Sequence, residues 1–123
     1  MRDKKILIIE DDSVSANALK TKLENCNFTT RVARDGVEGL RYAQNEKYDL
    51  IILDLLLPKM YGIEILKKIR SKEKTKNIPV IILTNVDKPS EKKIGEKLGV
   101  DVYFIKTDTH IDSVVQKINK LTR

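Results

Sequence analysis

Cysteine occurs once in these 123 residues, at Cys26, and tryptophan not at all. One cysteine excludes an internal disulfide and any Cys-rich zinc site, and reads most simply as a small core residue in a reduced compartment. No run of about 18 apolar residues exists, so no transmembrane helix is expected. The opening Met-Arg-Asp-Lys-Lys is too short and too quickly acidic for a signal peptide, and a cytoplasmic setting is the expectation. Glycine and proline are scarce, at five and three residues, and no linker, repeat or low-complexity segment interrupts the chain. The single histidine, His110, reads as an exposed residue at the start of a helix, not as a phosphodonor.

What is present is the composition of a globular protein, 41% hydrophobic and 34% charged, in a length that suits one domain spanning residues 1–123. Net charge is 24 − 18 = +6, with a dense stretch at Lys67, Lys68, Arg70, Lys72, Lys74 and Lys76. No aromatic is interleaved there to stack on bases, and lysines near a helix C-terminus are favoured by its dipole. The stretch therefore reads as a solvated face. No direct nucleic-acid partner and no membrane partner are expected, and no helix-turn-helix pattern follows the last helix.

Apolar and amphipathic runs alternate. Ile6–Ile9, Leu50–Leu53, Val80–Leu83 and Val102–Ile105 are short apolar blocks, and Phe28–Ala33 is a strand rich in threonine and valine. Between them lie helical stripes: Leu19, Leu23 and Cys26; then Val37, Leu40 and Ala43; then Ile65, Leu66 and Ile69. A lysine-rich fourth helix from about Pro89 to Leu98 offers only Ile94 and Leu98 to a core and carries Gly95, so it is expected to be the least stable element and the moving part. Ile111, Val114, Val115, Ile118 and Leu121 stripe the fifth helix, and Thr109-x-x-Asp112 before it has the pattern of a capping box. Strands without polar alternation are buried on both faces, as in a parallel sheet covered by helices. The fold class is α/β.

The polar residues fall where the buried strands stop: Glu10-Asp11-Asp12 after the first, Asp54 after the third, Thr84-Asn85 after the fourth, Lys106 after the fifth. The carboxyl ends of such strands line the ligand crevice of a doubly wound sheet. Packed carboxylates repel unless a cation lies between them, and Mg2+ (or Mn2+) suits hard oxygen ligands. A hydroxyl from Thr84 and a point charge from Lys106, beside a divalent ion, are what a phosphoryl group needs, and Asp54 is the carboxylate placed to act as nucleophile. Asp12 reads as the N-cap of the first helix.

Ile8-Ile9-Glu10-Asp11-Asp12, Ile52-Leu53-Asp54-Leu55-Leu56-Leu57-Pro58, Gly62, Ile82-Leu83-Thr84 and Tyr103-Phe104-Ile105-Lys106, each after its own strand, together resemble the response-regulator receiver domain of two-component signalling. The resemblance implies a flavodoxin-like three-layer sandwich of five parallel strands in the order 2-1-3-4-5 with five helices. It also implies that Asp54 accepts phosphate from a histidine kinase or phosphotransfer protein. Glu10, Asp11, Asp54 and the backbone carbonyl of Leu56 would hold the metal, Thr84 and Lys106 would bind phosphoryl oxygens, and Thr84 and Tyr103 would form the switch. The fourth helix, fifth strand and fifth helix would face an output domain or protein whose identity is open, in a monomer or weak dimer. No enzymatic activity is expected beyond self-phosphorylation and slow autodephosphorylation.

Three residues depart from the family pattern. Asn85 replaces a common Ala or Gly, Tyr61 an Asp before Gly62, and Thr107 a proline after Lys106. A non-proline cis bond costs about 2.5–4 kcal/mol, so Lys106–Thr107 is expected to be trans, with Asp108 or Thr109 capping the last helix. Leu56 and Val86, two residues after Asp54 and Thr84, are apolar and cannot orient water, which implies a long-lived phosphorylated form. Two other functions compete. A small metal-dependent phosphohydrolase would need an acid where Leu56 stands. A phosphorylation-independent docking module would normally lack one of Asp11, Asp54 or Lys106.

Overall fold

The computed structural model describes residues 3–123. Among these, strand and helix alternate: β1 (Lys5–Ile9), α1 (Ser13–Asn25), β2 (Thr29–Ala33), α2 (Gly36–Asn45), β3 (Leu50–Leu53), α3 (Gly62–Ser71), β4 (Val80–Thr84), α4 (Pro89–Lys97), β5 (Val102–Ile105) and α5 (Ile111–Leu121), with a 3-10 turn at Lys106–Asp108 before α5. All strand pairs are parallel and the order is β2-β1-β3-β4-β5. Alternate residues of the central strands feed two apolar layers, because successive side chains of a strand point to opposite faces. Leu7, Ile9, Ile51, Leu53 and Ile82 pack beneath α2, α3 and α4, whereas Ile6, Ile8, Leu50, Ile52 and Ile81 pack beneath α1 and α5. Ile6 to Ile9 are fully buried, which explains why their run carries no polar alternation.

Register positions the crevice. Ile9 pairs with Leu53 across β1 and β3, and Leu53 with Ile82 across β3 and β4. The ladder continues past the strands, since Glu10 N donates to Ala33 O at 2.9 Å and Asp54 N to Ile9 O at 3.0 Å. The two acids are thus held on backbone that is already hydrogen-bonded. Asp12 caps α1 as expected, its side chain accepting from Ser15 N at 3.0 Å. Gly62 begins α3 so close to the strand end that a Cβ there would lie 2.5 Å from Leu55 Cα and 2.6 Å from Asp54 O, a space only glycine leaves open.

Several expectations are corrected. Val37 does not join the buried stripe of α2; it is 49% exposed, and the helix buries Gly36, Gly39 and Ala43 instead. The cause is close approach, since a Cβ on Gly39 would meet Ile9 Cδ1 at 2.8 Å. The start of α5 is not a capping box on Thr109, nor is it capped by Asp108. The 3-10 turn takes up Thr109, whose hydroxyl donates to Ile105 O at 2.7 Å, and His110 is the N-cap, its Nδ1 accepting from Asp112 N at 3.2 Å. His110 itself is exposed. Arg70 is not part of a solvated face: it is half-buried and its guanidinium donates to the carbonyls of Leu98, Lys76, Ile78 and Gly99 at 2.7–3.0 Å. Burial lowers its pKa from the ordinary value. Every described peptide bond is trans, Lys106–Thr107 included. Cys26 is half-buried at the end of α1, against the layer beneath α1 and α5.

Candidate functional site

Glu10 and Asp54 are each only 6% exposed, at the ends of two neighbouring strands. Burying like charges side by side is costly without a countercharge. Lys106, just past β5, supplies one: its ammonium lies 2.9 Å from Asp54 Oδ2 and also makes a close ion pair with Glu10 Oε1. Burial above all pushes the Glu10 carboxyl up to about 7, with Asp54 adding to the rise and Lys106 opposing it. Burial pulls Lys106 down, but its hydrogen bonds to Glu10 and Asp54 outweigh that and hold its pKa above the ordinary value. The contact distances favour a charged Lys106 shared by both acids.

Backbone donors fix the carboxylates further. Leu56 N donates to Asp54 Oδ1 at 3.2 Å and Asp12 N to Glu10 Oε2 at 3.3 Å. Asp11 is exposed, and its backbone carbonyl accepts from Arg34 Nη2 at 3.1 Å. Arg34 also bonds Ser13 Oγ, so it braces the loop that presents the acids. Its position directly after β2 was its only trace in the sequence.

The expected metal ligands meet in space. One carboxylate oxygen from each of Glu10, Asp11 and Asp54 lies within 4.8 Å of the others. Three hard oxygens, two on buried residues and one opening to solvent, fit a hydrated divalent cation with an affinity for carboxylates. Leu56 contributes the amide just described, while its side chain is 54% exposed.

Thr84 is fully buried at the end of β4, its hydroxyl accepting from Val86 N at 3.3 Å. The Val86 carbonyl in turn accepts from the Tyr103 hydroxyl at 2.6 Å. The two expected switch residues are therefore linked through the backbone N–H and C=O of one residue, Val86, in the loop before α4. Val86 is 8% exposed and packs in the core beneath α2, α3 and α4. Asn85 is exposed.

An acid pair, a third acid, a buried threonine and a lysine at the carboxyl ends of a five-stranded 2-1-3-4-5 sheet define a receiver. The response regulator receiver domain model matches residues 6–119, and the chain belongs to that family, the receivers of two-component systems. Among similar proteins, the alkaline phosphatase synthesis transcriptional regulatory protein PhoP of Bacillus subtilis is 38% identical over 104 residues, covering 85% of this chain and 42% of that protein. Response regulator ArlR of Staphylococcus saprophyticus is 36% identical over 119 residues, covering 97% of this chain and 52% of that one. The chain thus spans about half the length of these curated relatives. The receiver domain of Francisella response regulator 1452 superposes with a TM-score of 0.89 at 37% identity, covering 98% of this chain and 97% of that one. Among the described residues no helix is long and apolar enough to cross a membrane.

Proposed function

We propose that this receiver is a phospho-accepting switch whose acceptor is Asp54. The observation that carries the reading is the single lysine, Lys106, held against two buried acids beside a third acid at the solvent edge. An Asp54 carboxylate oxygen attacks phosphorus, the P–N bond of a phosphohistidine breaks, and the imidazole nitrogen takes the electron pair and a proton from solvent. Lys106 then exchanges part of its contact with Asp54 for a phosphoryl oxygen, and the Thr84 hydroxyl binds another. Glu10, Asp11, Asp54 and the Leu56 carbonyl are the groups that would hold Mg2+ (or Mn2+). Such an ion, when bound, offsets the repulsion between an anionic acceptor and an anionic donor.

Turnover of an external substrate is not part of this reading. The phosphohydrolase alternative lacks its second acid, since position 56 is an apolar Leu56, and a purely docking role would have no use for a lysine ion-paired in a carboxylate crevice. We assign the donor to a histidine kinase or phosphotransfer protein, the setting to the cytoplasm, and the output face to α4, β5 and α5. Intact-mass measurement with Mg2+ and acetyl phosphate tests the reading. One added phosphoryl group is expected, lost in Asp54→Asn and in excess chelator. A full adduct in Asp54→Asn overturns it.

A further inference from the structure

The positive charge of the chain is concentrated in one place. Residues 67–76 carry Lys67, Lys68, Arg70, Lys72, Lys74 and Lys76 against the single acid Glu73, a net +5 of the total +6. The rest of the chain, with 24 − 6 = 18 cations and 18 − 1 = 17 acids, is nearly neutral. All five lysines are exposed, on the last turns of α3 and the turn that follows it. Elsewhere exposed lysines meet acids, as Lys20 meets Glu24 and Lys22 meets Asp112, each at 3.0 Å. Within the stretch Lys76 pairs with Glu73 at 2.9 Å, and among the described residues Lys67, Lys68, Lys72 and Lys74 make no ion pair.

Arg70 adds to this charge from beneath. Four of its five N–H groups go to neutral carbonyls and none to a carboxylate. It also lines a cavity of about 450 Å3 with Lys76, Asn77, Lys97 and Asp101. The Asp101 carboxylate is engaged by the sheet, accepting from Val80 N at 3.0 Å. The lysine turn itself is held in shape: Thr75 is buried, its hydroxyl donates to Ile69 O at 2.6 Å, and the amides of Thr75 and Lys76 bond Lys72 O at 3.1 and 2.8 Å. Lysines displayed on fixed backbone lose less freedom when they bind.

A partner for this surface must be anionic and must be held by charge alone. Interfaces between proteins are depleted in lysine and centre on aromatic, Met or Arg anchors, and none is exposed here. A membrane-surface helix inserts apolar side chains, whereas Ile69, the large apolar residue of the stretch, is buried. A single strand needs aromatic side chains to stack on its bases, and the stretch has none. The phosphate backbone of a duplex needs none of these, only closely spaced cations that displace its condensed counterions.

We propose that the end of α3 and the turn after it form a sequence-independent binding face for the phosphate backbone of double-stranded nucleic acid, with the cavity between Arg70, Lys76 and Lys97 as its deepest phosphate position. The lack of aromatics, which excludes base stacking, leaves this contact untouched. The face lies at the opposite end of α3 from Gly62, about 15 Å along the helix, so it stands or falls apart from the phospho-acceptor reading.

Fluorescence anisotropy of a short labelled DNA duplex, titrated with the full chain in NaCl buffer without Mg2+, tests the proposal. Four unpaired lysines predict a slope of log K against log[salt] of about −4, a fall of roughly 100-fold or more between about 50 and 200 mM salt. Replacing three of them, as Lys67→Gln/Lys68→Gln/Lys72→Gln, should weaken binding about 10-fold or more at low salt and reduce the slope to about −1. Lys97→Gln alone should reduce it by about one. A control of the same net charge, Lys47→Gln/Lys88→Gln/Lys120→Gln, changes lysines exposed elsewhere and should bind within about twofold of the native chain. Every substituted lysine is exposed, so folding is not at stake. Absence of binding by the native chain at about 50 mM salt overturns the proposal, as does an equal loss in the two triple variants. Tighter binding of the single strand, displacement of the duplex by an equal mass of poly-glutamate, or retention on anionic-lipid vesicles in preference to the duplex overturns the choice of partner. An unchanged slope in Lys97→Gln removes the cavity from the face.

Discussion

Lys106 Nζ lies 2.9 Å from Asp54 Oδ2 while also pairing with Glu10, so one ammonium is shared by two acids that are each 6% exposed. Its removal leaves the buried Glu10–Asp54 pair without a countercharge. Lys106→Met should lower the unfolding free energy by about 1–3 kcal/mol in metal-free buffer. Saturating Mg2+ should recover much of the loss, because ligand binding to the folded state stabilises it by mass action. Chemical denaturation in both conditions checks this. An equal loss with and without Mg2+ would contradict the shared-countercharge account.

Hydrolysis of an acyl phosphate needs a water held in line with it. The side chain two residues after Asp54 is Leu56, 54% exposed and unable to orient water. Val86 is withdrawn into the core, so Leu56 is the position to change. Leu56→Asn should speed decay of the phosphorylated form about 2–10-fold, followed by intact mass after the donor is removed. A rate that is unchanged or slower would count against the argument.

Local stability should differ sharply between β1 and α4. Ile6 to Ile9 are fully buried, whereas Gly95 is the one buried residue of α4. Amides of α4 should exchange on the order of 100-fold faster than those of Leu7 to Ile9. Equal protection would refute the view that α4 is the moving element.

Arg70 stitches α3 to the turns before β4 and β5 through four carbonyls. Arg70→Leu should cost about 2–3 kcal/mol, and Arg70→Lys should restore less than half, because an ammonium lacks the planar fork that reaches all four acceptors. Urea denaturation midpoints decide it. A lysine variant as stable as the native protein would show that charge, not geometry, is what matters there.

The sheet was legible because its central strands are buried on both faces, which leaves an unbroken apolar run such as Leu50–Leu53 as its trace. The acids, Thr84 and Lys106 were legible because each follows such a run. Arg70 was hidden in a lysine-rich stretch, and its partners are backbone carbonyls, which leave no mark in a sequence. Val37 has the spacing of a core residue, but the close approach of Gly39 to Ile9 rotates the buried face of α2 toward its glycines. Thr109 fits a capping pattern and is instead bonded back to Ile105 by an intervening 3-10 turn.

The central claim is that phosphate goes to the Asp54 carboxylate. Borodeuteride reduces an aspartyl phosphate to homoserine, which marks the acceptor in the peptide map of protein treated with Mg2+ and acetyl phosphate. The account predicts deuterated homoserine at position 54 and nowhere else. Homoserine at Asp11 or Asp12, or a phosphoryl adduct that borodeuteride leaves intact, would contradict it.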